Sequence, residues 1–402
     1  MNGLLSGLRI VEGSAFVAAP LAGLTLGQLG AEVIRFEPIG GGIDRARWPV
    51  TEAGDSLYWT SLNRGKRSIA VDLRHPEGRE LIQALIRAPG KDAGLFLTNF
   101  PAEGWLSYEA LKARRADLVM AVIRGQPDGG AAVDYTVNAA SGFPMATGPE
   151  GHDGPVNHVL PAWDIATGLS AALGLIAAER HRLRTGEGQL VRLSLMDSAL
   201  AMMGHLGILA EAQVNGTDRL RGGNDLYGGF GRDFATADGE RLMSVALTDR
   251  QWRAVVEATG LEAEIAKAER TLGLDFTREG DRYLGREALN LLVGGWIAAR
   301  PYREVAAAFP AQGVLFERYQ SFAELATSDP RCSLANPLFA MVEQPGIGPM
   351  MAPGALLDFS GHARLAPKPA PRVGQHTDEI LAEILGLPAT AIGGLHDRGI
   401  VA

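Results

Sequence analysis

Asp164 stands in HVLPAWDIATG (158–168), behind Leu160, Pro161, Ala162 and Trp163 and directly ahead of a long apolar run. A carboxylate in that place has two chemistries open to it. As a helix N-cap its oxygens would accept hydrogen bonds from the first free backbone N–H groups. As a nucleophile it would use the same surroundings, because amide donors and the helix dipole favour the charged form. An ionised carboxylate at the edge of a cavity can attack an activated acyl carbon and form a mixed anhydride. The small residues that follow leave room for a substrate. The residues alone leave both readings open.

A second cluster lies at Gly222, Gly223, Gly228, Gly229 and Gly231, in RGGNDLYGGFGRDF. Dense glycine permits positive φ and brings backbone N–H groups close to a ligand. Such a segment could donate to a tetrahedral oxyanion or cover a reactive intermediate, or it could be a flexible hairpin connection. Basic residues gather near predicted strand ends: Arg35, Arg45, Arg47, Arg64, Lys66, Arg67, Arg74 and His75. A ligand with a diphosphate and a ribose phosphate would use such groups, and so would a solvated surface. None of the eight histidines forms HExxH or another tight ligand pair, so a metal site has no support. There is no GxSxG elbow, and nothing local activates Cys332.

These residues need a scaffold, and the chain spells one out. LRIVEGS reads as a first strand, PLAGLTLGQLG as a helix with Pro20 in its first turn, and AEVIRFE as a second strand. RSIAVDL, PEGRELIQALIRA, AGLFLTNF and YEALKARRADLVMAVIRG continue the alternation. This predicts a doubly wound α/β layout with a parallel sheet. The first crossover lacks GxGxxG, and no Walker-type loop is present, so nicotinamide and nucleoside triphosphate chemistry lose support. From about 165 to 213 the chain reads as mainly helical, broken by RTGEGQLVRLSLMD. A hairpin is expected at Asp238-Gly239, followed by helical periodicity to about 328. The tail predicts a helix capped by Thr377.

Composition sets the outer bounds. The 402 residues, 46% of them hydrophobic, can bury a large core and suggest two domains. A net charge of −8 without a concentrated basic face argues against a nucleic-acid partner. The most apolar run, GLSAALGLIAAERH, is too short to span a membrane, and no export signal opens the chain. A single cysteine excludes an intrachain disulfide framework. A cytoplasmic enzyme is the expectation.

The ordered set LRIVEGSAFVAAPLAGLTLGQLGAEVIRFE, LNRGKRSIAVDLRHPEGRELIQALI, LFLTNF, DIATGLSAALGLIAAERHRLRTGEGQLVRLSLMDSAL and GQHTDEILAEILGL resembles the family III CoA-transferases, the group that includes carnitine CoA-transferase and formyl-CoA transferase. The resemblance implies a Rossmann-like parallel sheet in a large domain, a smaller α+β domain, and a homodimer of two ring-like subunits threaded through each other. It implies that residues 1–220 form the large CoA-binding domain, 221–328 the small domain behind the glycine loop, and 329–402 a C-terminal segment returning to the large domain. It further implies that Asp164 is the catalytic aspartate, with Gly228 and Gly229 in a mobile loop beside it. Its implied CoA contacts are Phe16, Val17, Ala18, Pro38, Leu73, Arg74, His75, Asn99 and Phe100.

VEGSAFVAAPLAG, RFEPIGGGIDRARWPV, VNHVLPAWDIATG and RGGNDLYGGFGRDF are similar to the same stretches in family members that move CoA within one C5 dicarboxylic acid. That similarity implies transfer from C1 to C4 of 2-methylfumaryl-CoA (mesaconyl-CoA), through aspartyl anhydrides and an aspartyl-CoA thioester. The alternative is transfer between an acyl-CoA and a separate free dicarboxylic acid. Arg47 is the residue expected to pair with the substrate's free carboxylate. Trp48, Trp163 and Phe230 are expected to help keep the pocket dry. No cofactor beyond the CoA moiety, and no metal, is implied. Two departures stand out. LTNFPAEGW replaces the family's ENF-type segment, and Val133 occupies the place of the racemase branch's histidine, which weighs against proton exchange.

Overall fold

The computed structural model describes residues 3–402, and the strand–helix alternation of the sequence is realised in it as a single parallel sheet. Strands β1 (Arg9–Gly13), β2 (Glu32–Glu37), β3 (Arg67–Ala70), β4 (Leu95–Thr98), β5 (Val119–Arg124) and β6 (Leu190–Ser194) lie in the order β3-β2-β1-β4-β5-β6. Every neighbouring pair is parallel. Burial on both faces explains why the inner strands are almost continuously apolar rather than alternating. β6 falls within the stretch expected only to interrupt a helical region. It is an edge strand with its residues partly exposed, so its sequence lacks the apolar run that marks the others. The order reverses between β1 and β4, and the carboxyl ends of those two strands form the crevice where such sheets bind ligands.

The helices of this part are α1 (Ala18–Gln28), α2 (Leu57–Leu62), α3 (Pro76–Ile86), α4 (Tyr108–Lys112) and α5 (Asp134–Ala140), then, beyond α6 (Phe143–Ala146), α7 (Ala162–Thr185) and α8 (Leu195–His205); α9 (Ile208–Asn215) follows and lies mostly in the second compact unit. α3 starts where proline costs no hydrogen bond: Pro76 is its first residue, and His75 caps it by accepting from the Glu77 N–H at 3.2 Å. One core gathers Phe36, Ile82, Phe96, Met120 and Leu381. Each such buried side chain contributes about 1.5–3 kcal/mol.

By compactness the chain forms two units. One comprises the residues up to Ser141, His158–Ala210 and Pro330–Ala402; the other comprises Gly142–Asn157 and Glu211–Asp329. In the first unit the late residues add a two-stranded sheet, β10 (Phe339–Gln344) with β11 (Gly348–Pro353), and the helices α16 (Thr377–Glu383) and α17 (Ala389–Asp397). Thr377 is not the cap of α16. It is the first helical residue, with His376 at the cap position, and its buried hydroxyl accepts from Ala70 N–H at 3.1 Å and donates to Ala402 O at 2.7 Å. A hydroxyl consumed in tying β3 to the last residues cannot also cap.

The second unit holds an antiparallel sheet of β7 (Phe230–Ala235), β8 (Arg241–Ala246) and β9 (Leu315–Arg318). β7 and β8 form the hairpin expected at Asp238-Gly239, where Gly239 supplies a φ of 84°. Around it pack α10 (Asp249–Thr259), α11 (Glu262–Leu272), α12 (Glu279–Leu284), α13 (Arg286–Ala298), α14 (Tyr302–Gln312) and α15 (Phe322–Ser328). Phe230, Trp252, Phe276 and Phe309 are core residues of this unit. Among the described residues, no helix is long and apolar enough to cross a membrane.

Candidate active site

The loop leaving β1 rests on a buried network of charges. Glu12 Oε1 accepts from Ser14 Oγ at 2.7 Å and from Lys66 Nζ at 2.8 Å. Arg35 donates to Ser14 Oγ and Asn63 Oδ1 and pairs with Glu37 and Asp44 at 3.2 and 3.3 Å. Lys66 also donates to Asn63 Oδ1 and Pro20 O. Burial, against the opposing charge of Glu12, brings the Lys66 amine down to about 8. Buried charges persist only when paired in this manner. Gly23 is part of the arrangement, since a Cβ there would lie 1.8 Å from Glu12 Oε2. Arg35 and Lys66, offered by the sequence as phosphate ligands, are therefore consumed inside the protein. Arg67 likewise pairs with Glu32 and Glu383.

The network sets the backbone above it. Ala15 N–H donates to Asn99 Oδ1 at 2.9 Å while Asn99 Nδ2 donates to Ala15 O at 2.7 Å. Phe16 N–H donates to Asp44 Oδ2 at 2.9 Å, and Phe16 has a φ of 65°. A left-handed non-glycine residue costs about 1–2 kcal/mol. A hydrogen bond to a charged acceptor contributes about 1.5–3 kcal/mol, enough to hold it there. Phe16 so held puts its ring 5.4 Å from the Arg47 guanidinium, which also lies 5.0 Å from the Tyr58 ring. Among the described residues, Arg47 makes no ion pair. Burial pushes the Tyr58 hydroxyl up to about 12; the charge of Asp164 adds to this, and Arg47 opposes it.

Asp164 is the third residue of α7, behind Pro161 at the cap position. The N–H groups of Trp163 and Asp164 donate to Asp134 Oδ2, at 2.8 and 3.0 Å. The cap of α7 is thus supplied by the first residue of α5, and the reading of Asp164 as a cap is overturned. The expectation that the helix start keeps Asp164 readily ionised is corrected too. Burial first, and the charge of Asp134 second, push its carboxyl up to about 7, with Arg47 opposing. Desolvation outweighs the favourable dipole here. α7 is seated tightly on α1, for a Cβ on Gly168 would lie 2.5 Å from Ala18 O. A partly buried carboxylate with a raised pKa, not used for capping and close to an arginine, is suited to nucleophilic attack on an acyl carbon.

The other expected contacts occupy the carboxyl edge of the sheet. Val17 is the buried cap residue of α1, and Ala18 begins that helix. Pro38 follows β2, with its carbonyl accepting from Gly41 N–H at 2.9 Å. Beyond β3, Leu73 packs on the core, Arg74 is exposed, and His75 caps α3. Beyond β4, Asn99 clamps Ala15, and Phe100 lies 6.1 Å from Phe36. The structure gathers Phe16, Arg47 and Tyr58 with Asp164 and ties Asn99 to the same loop. Leu73–His75 sit at the outer strand. Gly228 and Gly229 belong to the second unit, in a turn closed by Leu226 N–H to Gly231 O at 2.7 Å.

Trp48 is exposed, whereas Trp163 is buried with its Nε1 donating to Asn138 Oδ1 at 3.2 Å. Phe230 is a core residue of the second unit, 5.0 Å from Trp252; its ring is occupied by packing rather than lining a pocket. Sequence reasoning missed Asp134, Asp44 and Tyr58. Asp134 follows directly on Val133, at the start of a helix, and that place was the one signal available.

The comparisons with known proteins concern the chain as a whole. The model of CoA-transferase family III matches residues 5–377. The chain is 58% identical, over 100% of its own length and 98% of the other's, to 2-methylfumaryl-CoA isomerase of Chloroflexus aurantiacus. It is 29% identical to the succinate–glutarate CoA-transferase of Agrobacterium fabrum, covering 96% of this chain and 97% of that one. Among solved structures, a CAIB/BAIF family protein from Brucella suis matches with a TM-score of 0.77 at 26% identity, over 96% of this chain and 100% of that chain. The matched residues run from ahead of β1 to the first residue of α16, nearly the whole chain, and the chain belongs to CoA-transferase family III.

Proposed function

We propose that this chain moves CoA from the C1 to the C4 carboxyl of 2-methylfumaryl-CoA, giving 3-methylfumaryl-CoA, with Asp164 as nucleophile. The likeness over the full length to 2-methylfumaryl-CoA isomerase supports the substrate. The observation that carries the mechanism is the Asp134 cap, which leaves the Asp164 carboxylate free to react. An Asp164 oxygen attacks the C1 carbonyl, the C–S bond breaks, and CoA leaves as thiolate. The thiolate attacks the aspartyl carbonyl of the resulting anhydride, forming an aspartyl-CoA thioester and releasing the dicarboxylate within the pocket. Its C4 carboxylate attacks that thioester, CoA thiolate leaves again, and thiolate attack on the C4 acyl carbon regenerates Asp164. One thioester replaces another, so the sequence balances without ATP.

Arg47, stacked on Phe16 and Tyr58, pairs with whichever substrate carboxylate is free. Phe16, Val17, Ala18, Asn99 and Phe100 contact CoA near the sulfur. Pro38 and Leu73–His75 contact its far end, where exposed Arg74 is the phosphate ligand. The enzyme works in the cytoplasm as a homodimer, and the dimer is supported by apolar residues exposed on α7 and α8.

The test supplies C1-linked 2-methylfumaryl-CoA with labelled free 2-methylfumarate and follows the product by mass spectrometry. The C4 ester should form without label; label in the ester would replace this reading by transfer between separate acids. Asp164→Ala should abolish turnover with the fold intact, and retained activity in that variant would overturn the mechanism.

A further inference from the structure

We propose that Asp134 is a positioning residue whose charge, held against the backbone of Trp163 and Asp164, destabilises the free Asp164 carboxylate relative to its uncharged acylated forms. The inference rests on the reading of Asp164 as nucleophile.

A cap needs an acceptor and not a charge. Asparagine, serine or threonine would satisfy the same two N–H groups. Asp134 is 2% exposed. It uses Oδ2 for both bonds, and its buried Oδ1 has no hydrogen-bond partner. Among the described residues, no cation pairs with it. A buried carboxylate left half-satisfied beside a second carboxylate costs stability, so the charge calls for another explanation.

The reaction offers one. When Asp164 attacks, the charge on its own oxygens departs with the thiolate, and the acylated Asp164 side chain left beside Asp134 is uncharged, while the substrate's remaining carboxylate is held by Arg47. The Asp164 side chain is uncharged in the aspartyl-CoA thioester as well, and again in the second anhydride. Asp164 is charged only in the free enzyme, before the first attack and after the last. A fixed negative neighbour therefore favours every covalent state over the free one. That bias suits a reaction in which the acid must stay on the enzyme between its two halves.

The surroundings leave Asp134 as the neighbour able to act in this way. Arg47 acts on Asp164 in the opposite sense, and Tyr58 of α2 faces it as a neutral phenol. α1 carries no ionisable side chain, Tyr135 of α5 is exposed, and the remaining charged residues of α7 begin at Glu179. Asp197 and His205 of α8 do not perturb Asp164, whose raised pKa follows burial and then Asp134.

Asp134→Asn keeps the shape and an acceptor for the cap while removing the charge. The pH profile of kcat/KM and the fraction of enzyme carrying an Asp164 adduct, measured by mass spectrometry after acid quench, are the readouts. The acid limb should move to lower pH by about one unit, and the adduct fraction should fall toward a tenth. Asp134→Glu should restore both, because it restores the charge. An acid limb and adduct fraction that match the parent in Asp134→Asn would overturn the proposal. Should that variant not fold, Asp134→Ser gives the same two readouts. Activity in Asp164→Ala would instead remove the nucleophile itself. A trapped Asp164 adduct with an unmoved limb removes only the role of Asp134's charge.

Discussion

Asp164 is placed where folding and chemistry pull in opposite directions. Its carboxyl is pushed from 3.8 up to about 7 by burial and by Asp134, so the folded chain binds a proton there that the unfolded chain has released. The consequence for stability has a definite sign. Above pH 7 both states are ionised at this residue, and the folded state bears the cost of a desolvated charge. The cost fades as pH falls from 7 toward 4 and is absent below. Asp164→Asn should therefore be more stable than the parent at pH 8, by about 1–2 kcal/mol after allowance for partial exposure. The gap should close near pH 4. Thermal unfolding across that range measures it, and parallel curves would show that burial does not burden the charge. The same residue shows what sequence can convey. A lone carboxylate ahead of an apolar helix was visible, but whether it caps that helix depended on Asp134, thirty residues earlier and on another helix.

At the scale of elements, the site exists because α1 and α7 meet with almost no space between them. Gly168 is the contact: a methyl group there would lie 2.5 Å from the Ala18 carbonyl oxygen, and backbone cannot give way as a flexible side chain can. Gly168→Ala should push α7 off α1 and cost about 1–3 kcal/mol, as overpacking does. Because Ala18 opens the loop-to-helix turn and Asp164 lies one turn before Gly168, the variant should also lose turnover. Gly295→Ala provides the contrast. Its Cβ would meet open space in α13, and an added methyl there should raise stability by up to about 1 kcal/mol. Unfolding midpoints for the two variants that move in the same direction would refute this account of Gly168. Strands β1 to β5 were legible as apolar runs between helices with proper starts. β6 was not, because an edge strand with polar residues gives a weak pattern. The mutual dependence of Glu12, Arg35, Lys66 and Asp44 was hidden for another reason: pairing of charges across two strands and two loops leaves no mark at any one position. Only the basic members were noticed, and their partners turned out to be acids of the protein rather than phosphates of a ligand.

At the scale of the whole molecule, α7 presents a puzzle that a second copy of the chain would resolve. The helix buries Trp163, Ala171, Ala172 and Leu175 on one side. Its opposite side should be polar if it faced water in the working enzyme. Instead Leu169 and Leu173 are exposed there, Leu173 to 71%, and Leu200 of neighbouring α8 and Leu206 just beyond its end are exposed as well. Exposed apolar side chains gathered on adjacent helices mark a surface that another protein covers. The interlocked homodimer implied by the family resemblance makes a second copy the occupant to test. Sedimentation at micromolar concentration should find a dimer. Leu173→Glu puts a charge on that surface without touching Asp164, Arg47 or the charge network, so it should shift the population to monomer while helical content is retained. Turnover should fall with dimer content as the variant is diluted, and should recover as it is concentrated. A parent protein that sediments as monomer would remove the dimer from the mechanism. A Leu173→Glu protein that remains dimeric would place the interface elsewhere and leave the exposed face of α7 to another partner.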